Sequence, residues 1–294
     1  MTASASALTV RQALVQASLA PIDAQVLLAH VLGVDRAWLM AHAADRLATA
    51  DVETYFTLAR RRRDGEPVAY LTGTREFWGL SLAVDRAVLI PRPETETLVE
   101  CVLRALPPDR PVRVLDLGTG SGAIALAIAH ERPRADVLAV DASAAALALA
   151  RRNAERVKLA NVRWLQSDWY GQLEGDGALF DVIASNPPYV ADGDPHLAEG
   201  DVRFEPVSAL LAGRHGLDAL RAVIAGAPAW LAPGGTLVVE HGFDQASAVR
   251  ALMRDAGLAD RGTFRDLAGI ERVSMATKVH SEGPGARAAT SFRT

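Results

Sequence analysis

Two short stretches hold side chains whose types and spacing can do chemistry. The first is Asp116-Leu117-Gly118-Thr119-Gly120-Ser121-Gly122, set between an apolar run and a helical pattern. Glycines let a backbone pass close to a ligand and offer N–H groups with no Cβ in the way. Asp141 ends the next apolar run. A carboxylate there accepts both hydroxyls of a ribose, and charge-assisted bonds of this kind are worth about 1.5–3 kcal/mol each. Asp168-Trp169 follows a third apolar run and offers a carboxylate for an adenine amino group and an indole face for its ring. A core aromatic is the plainer role for Trp169. The loop alone leaves the ligand open. Gly118, Gly120 and Ala123 satisfy the dinucleotide pattern in its Gly/Ala form. Gly122 directly after Ser121, and Asp116 as a carboxylate for a cationic amino-acid moiety, favour S-adenosyl-L-methionine.

The second stretch is Asn186-Pro187-Pro188-Tyr189. Two prolines fix the backbone and remove two donors, leaving carbonyls free to point outward. The Asn186 side-chain oxygen and the Pro187 carbonyl then accept two hydrogen bonds from one NH₂ group. Tyr189 lies flat against the planar group that carries it. Such a nitrogen, in an amide or an aromatic amine, is a poor nucleophile because its lone pair is delocalised. Two acceptors aim it at a sulfonium methyl and bind more strongly as positive charge grows on nitrogen. In-line positioning does the rest, with no metal and no dedicated base. A rigid structural turn is the bland alternative.

Other residues carry less. His130, His196, His215 and His241 lack metal-ligand spacing, and Cys101 has no companion. Ser121 has no nucleophile-elbow context, which excludes a hydrolase. Glu240-His241-Gly242 ends an apolar run and could line the site, although turn geometry explains it equally well.

The elements that must position these residues alternate from Val112 onward. Strand patterns at 112–116, 137–140, 162–166, 181–184 and 236–240 are separated by helical patterns at 121–130, 143–157, 217–230 and 244–256, with short strands near Thr263 and at 272–277. This alternation predicts an α/β domain with a parallel, doubly wound sheet, whose carboxyl edge gathers both motifs. Ahead of it, four short helices are expected between Thr9 and Gly73. Thr9 and Gln12 form a capping box, Gly33 stops the second helix, Asp35 caps the third, and Thr49 or Asp51 caps the fourth. They form a small bundle that docks or covers. Arg60-Arg61-Arg62-Arg63 reads as cations at a helix C-terminus, with their stems solvated. A β-hairpin follows over 75–90, and Pro91 and Pro93 introduce a helix at 94–106. The boundaries expected are a helical bundle at 1–73, a hairpin linker at 74–92, a catalytic domain at 93–280 and a disordered tail at 281–294.

Composition excludes other classes. Among 294 residues, 31 Lys and Arg stand against 35 Asp and Glu, a net charge of −4. That is not the basic footprint of a protein that grips nucleic acid. The single cysteine fits a reducing compartment. No secretory signal is read at Met1 to Ala7, and the longest uncharged run, 222–239, is broken by Gly226, Pro228, Pro233, Gly234 and Gly235. The expectation is a soluble, cytoplasmic chain with neither a membrane nor a nucleic-acid partner.

Taken together, Asp116 to Gly122, Asp141 and Asn186 to Tyr189 resemble a class I S-adenosylmethionine-dependent methyltransferase of the amino-methylating type. Further matches lie at Arg61 to Pro67, Tyr70 to Gly73, Arg75 to Gly79, Leu89 to Glu96, Asp201 to Pro206 and Glu240 to Gly242. With them the chain is similar, over about residues 8–278, to the peptide-chain release factor glutamine methyltransferases, the HemK/PrmC family. The resemblance implies a Rossmann-like, mostly parallel seven-stranded sheet. It also implies methyl transfer from S-adenosyl-L-methionine to N5 of the glutamine in the Gly-Gly-Gln motif of class 1 release factors, leaving S-adenosyl-L-homocysteine. On the same basis Gly118, Thr119, Gly120, Ser121, Gly122, Asp141, Asp168, Trp169 and Asn186 bind the cofactor. Asn186, Pro187, Pro188 and Tyr189 hold the glutamine, with Asn186, Pro187 and Tyr189 catalytic. The bundle docks the release factor, no metal takes part, and the enzyme is a monomer. Asn-Pro-Pro-Tyr alone also fits adenine methyltransferases, so N6-adenine or another nucleobase amine is the alternative acceptor. A non-catalytic docking module and a nicotinamide oxidoreductase stand further back.

Overall fold

The computed structural model describes residues 8–174, 179–198 and 200–279, so the expected tail at 281–294 lies outside the described residues. The chain forms two compact units. One comprises Met1–Arg75, Val84–Arg86 and Pro195–Glu205, and the other Glu76–Ala83, Ala87–Asp194 and Pro206–Thr294.

The first unit is helical. Helix α1 (Val10–Gln16) starts at the expected Thr9/Gln12 capping box, α2 (Pro21–Leu32) stops at left-handed Gly33, and Asp35 caps α3 (Arg36–Ala41) through the Trp38 N–H. Helix α4 (Thr49–Arg63) begins at Thr49 itself, earlier than either expected cap would start it. Its N-cap is Ala48, which makes no side-chain bond, so neither Thr49 nor Asp51 caps it. A fifth helix, α5 (Val68–Thr72), fills the interval between Pro67 and Gly73, where five residues are too few to reveal a period. Leu27, Leu28, Leu39, Tyr55 and Ala59 make the core. Burial pushes the Tyr55 phenol up to about 12.

The arginine run departs from the solvated stems expected of it. Arg61 holds Glu66 at 2.7 and 2.9 Å, Arg62 pairs with both Asp23 (2.8 Å) and Asp201 (2.5 Å), and Arg63 donates to the Ala17 carbonyl at 2.6 Å. Arg203 donates to the Asp64 carbonyl, and the Phe204 ring lies under Arg86 and Arg203.

Strands β1 (Thr74–Phe77) and β2 (Leu80–Ala83) form a hairpin. Both turn residues, Trp78 and Gly79, have positive φ (53° and 71°), as a two-residue turn with matching twist requires. Trp78 tolerates this because Glu96 accepts its backbone N–H at 3.0 Å and Glu131 accepts its indole N–H at 2.9 Å.

Among the described residues of the second unit seven strands lie in the order β5-β4-β3-β6-β7-β9-β8. Strands β3 (Val112–Leu117), β4 (Ala135–Asp141), β5 (Val162–Gln166), β6 (Phe180–Ser185) and β7 (Leu231–Glu240) run parallel. Strands β8 (Leu258–Arg265) and β9 (Glu271–Lys278) close the sheet as an antiparallel pair. Along β3, Val112 and Val114 face one layer and Leu115 and Leu117 the other, as a strand buried on both faces must. Helices α6 (Glu96–Ala105) and α7 (Ala123–Glu131) build the first layer. Helices α9 (Asp218–Trp230) and α10 (Ala246–Asp255) build the second. Helix α8 (Ala144–Val157) is capped by Ser143 as expected. The chain reverses its direction of winding at β3, and such a reversal opens a crevice at the carboxyl ends of the strands. Leu117 and Ser185 pair across that point, and the Ser185 hydroxyl donates to the Leu117 carbonyl at 2.8 Å. The two chemically suggestive stretches therefore leave neighbouring strands at one level.

Candidate active site

The glycine turn begins by staying bonded to the sheet. Gly118 and Thr119 N–H groups both donate to the Val140 carbonyl at 2.9 Å. Gly118, Gly120 and Gly122 all have positive φ, which only glycine adopts freely. Their surroundings differ. A Cβ on Gly120 would meet nothing within 4 Å, whereas on Gly122 it would press on Ala150, Trp164 and Leu126 at 3.2–3.3 Å. The third glycine thus serves close packing around α7, while the second leaves open space. A Cβ on Gly118 would stand 3.6 Å from the Trp169 indole.

Carboxylates brace this turn. Asp141 accepts the Gly120 N–H through Oδ2 and the Ser143 N–H through Oδ1, both at 2.8 Å. Asp116 is fully buried; its Oδ2 accepts the Thr119 hydroxyl at 2.6 Å, and its Oδ1 has no partner among the described residues. Burial pushes Asp116 up to about 7; the Thr119 hydroxyl and the Ala125 backbone N–H oppose this and the Asp141 charge adds to it. Asn153 of α8, also fully buried, donates to the Ser121 and Ala83 carbonyls (2.9 and 3.0 Å) and accepts the Ala83 N–H at 2.7 Å. The sequence reading missed it, though one amide within the buried stripe Ala146, Leu149, Ala150, Asn153 was the available signal.

A cavity of about 300 Å³ opens above the turn. Gly118, Thr119, Gly120, Ser121, Asp141, Asp168, Trp169, Asn186 and Pro188 all form its wall. Gly122, Pro187 and Tyr189 are not in that wall. Trp169 reaches its place through a left-handed backbone (φ 48°), and the Ser167 hydroxyl donates to its carbonyl at 2.9 Å. Thr95, a buried residue of the turn before α6, joins the wall as well.

Thr95 decides how Asn186 faces. The Asn186 Nδ2 group donates to Thr95 Oγ1 at 3.1 Å, which leaves Oδ1 as the acceptor on the other side of the amide. Tyr189 turns inward: its hydroxyl donates to Glu240 Oε1 at 3.2 Å, and its carbonyl accepts Gln245 Nε2 at 3.0 Å. Burial and the neighbouring Glu240 raise the Tyr189 pKa, so the phenol stays protonated. Glu240 is 1% exposed, and burial pushes it up to about 7 against the pull of Thr95, Tyr189 and Arg272. His241 is buried neutral. Its Nδ1 bonds the Gly242 carbonyl and its Nε2 bonds Ser274 Oγ, each at 2.9 Å, and burial lowers its pKa. Since a carbonyl can only accept, Nδ1 carries the proton and Nε2 accepts from Ser274.

Among the described residues no cluster of three or more His, Cys, Asp or Glu could hold a metal ion, and no helix is long and apolar enough to cross a membrane.

Comparisons with known proteins agree with this architecture. Residues 9–73 match the PrmC N-terminal domain, and residues 95–201 match the methyltransferase small domain. A release factor glutamine methyltransferase of Xylella fastidiosa is 55% identical over 254 residues, which is 86% of this chain and 92% of that one. The Escherichia coli release factor glutamine methyltransferase is 47% identical over 253 residues, covering 86% and 90%. A crystal structure of a methyltransferase from Pyrococcus furiosus shares the fold, with TM-score 0.51 and 20% identity over 69% of this chain and 90% of its own. Identity of this degree along most of both chains means that the protein belongs to the release factor glutamine methyltransferase family.

Proposed function

We propose that this protein transfers a methyl group from S-adenosyl-L-methionine to the side-chain nitrogen N5 of the glutamine in the Gly-Gly-Gln motif of class 1 release factors. The observation that carries the reading is the Asn186 amide. Tied to Thr95 through its nitrogen, it keeps its oxygen as an acceptor in the wall of the cavity that also contains the glycine turn.

The residues suit the cofactor. The open Cβ side of Gly120 leaves room for a ligand beside the backbone. Asp141 keeps lone pairs for ribose hydroxyls, and Trp169 offers a ring face beside Gly118. When bound, the cofactor supplies an electrophilic methyl on a sulfonium. Asn186 Oδ1 and the Pro187 carbonyl orient the glutamine NH₂ and favour the state in which its nitrogen turns positive. That nitrogen would gain the methyl carbon as the S–CH3 bond breaks to leave the thioether S-adenosyl-L-homocysteine, and would give up one proton to water. The helical unit docks the release factor in this reading, supported by the match at residues 9–73. The charge of −4 and the lone cysteine suit a protein substrate in the cytoplasm better than a nucleic acid. A nucleobase acceptor has only the Asn-Pro-Pro-Tyr stretch in its favour.

Mass spectrometry of a release factor after incubation with the enzyme and S-adenosyl-L-methionine tests this. One added methyl on the Gly-Gly-Gln glutamine is expected, and none when that glutamine is replaced. Labelling that survives the replacement overturns the reading.

A further inference from the structure

Glu240 is not in the cavity wall, yet a hydrogen bond to Tyr189 and an electrostatic interaction with Thr95 link it to the Asn186–Tyr189 loop. The Tyr189 hydroxyl donates to its Oε1 at 3.2 Å. On the other side the Thr95 hydroxyl, which accepts Asn186 Nδ2 at 3.1 Å, stabilises the charged form of the same carboxyl. Oε2 is buried with no hydrogen-bond partner among the described residues. A carboxyl in such a place is costly. The strand end does not need it, because His241 already ties β7 to β9 through Ser274.

We propose that Glu240 is a positioning residue for methyl transfer, holding Tyr189 directly and setting the Asn186 amide by way of Thr95. A threonine hydroxyl has one hydrogen. Thr95 Oγ1 accepts from Asn186, and with its own hydrogen drawn toward the Glu240 charge it meets Asn186 only as an acceptor, so the asparagine presents its nitrogen to Thr95 and its oxygen to the cavity. Without that carboxylate the hydroxyl is free to donate to Asn186. The amide then turns over and offers a donor where the glutamine NH₂ needs an acceptor.

The same polarity depends on ionisation, since a protonated carboxyl can itself donate toward Thr95 or Tyr189. Facing Glu240 are Tyr189 from the loop after β6, Glu94 and Thr95 from the turn before α6, and Arg272 from β9; Arg92 acts on Tyr189. Glu94 favours the neutral form and Arg272 the charged one. Turnover should therefore rise with pH through about 7.

This inference rests on the methyl-transfer reading, so wild-type methylation of a release factor is measured first; with none, both fall. In an active enzyme, Glu240→Ala and Thr95→Val should each lower kcat roughly 10- to 100-fold, the scale on which a misplaced reacting group acts. Cofactor affinity by calorimetry should stay within about threefold, because the loss is confined to orienting the acceptor. Glu240→Gln should recover part of kcat while losing the rise near neutral pH. A kcat in Glu240→Ala within about twofold of wild type overturns the inference alone. Should Glu240→Ala fail to fold, a wild-type kcat in Thr95→Val with an unchanged pH profile in Glu240→Gln overturns it equally.

Discussion

Asn186 is the residue on which the chemistry turns, and its substitution should separate binding from turnover. Asn186→Ala removes an acceptor that strengthens as charge develops, so kcat should fall by roughly 10²–10³ while cofactor affinity changes far less. Steady-state kinetics with a calorimetric titration checks this; a loss confined to cofactor affinity contradicts it. Asp141 should behave oppositely. It braces Gly120 and Ser143 as well as facing the cavity, so Asp141→Ala should mainly weaken cofactor binding, with kcat near wild type at saturation. A turnover defect at saturating cofactor rules that assignment out. These positions were legible in sequence because special residues stand in short runs: glycines where φ is positive, prolines that free carbonyls. Thr95 and Glu240 were not legible as partners. Thr95 meets Asn186 across 91 positions and Glu240 meets Tyr189 across 51, and only the closing of the sheet decides such pairs.

At the scale of elements, Asn153 joins helix α8, strand β2 and the glycine turn. Asn153→Ala leaves two carbonyls and one N–H without their partner, which should cost about 2–4 kcal/mol. Urea unfolding measures this, and cofactor affinity should fall too because the Ser121 carbonyl is released. A stability within about 0.5 kcal/mol of wild type would mean that Asn153 is no joint. Periodicity and caps made most helices and the five parallel strands readable. They could not reveal that β9 inserts between β7 and β8, since strand order is not written in any local window. Nor could they reveal the partners of Arg61, Arg62 and Arg63, because a helix-end arginine looks the same in sequence whether solvated or paired.

For the whole molecule, the buried ionisable groups set a pH dependence with a definite sign. Asp116 and Glu240 are both raised to about 7 in the folded protein, chiefly by burial, whereas unfolded carboxyls ionise near 4. The folded state therefore binds more protons between about pH 4 and 7. Stability is full below that window and is lost as pH rises through it, by up to about 1.4 kcal/mol per pH unit for each group. His241 works the other way. Its pKa is lowered, so its contribution is present above the ordinary histidine value near 6.5 and fades as pH falls below it. Urea melts from pH 5 to 8 should show a smaller loss in the double variant Asp116→Asn, Glu240→Gln than in wild type; parallel slopes would place the effect elsewhere. The return of residues 195–205 to the helical unit has its own consequence. The chain leaves the sheet-bearing unit after Asp194, a few residues beyond Asn186–Tyr189, and re-enters it at Pro206. No single cut of the polypeptide can free one unit whole. A fragment starting at Glu76 would keep Asp201 and Arg203 but forfeit Arg62 and Asp64, and a protease should find the stranded stretch first.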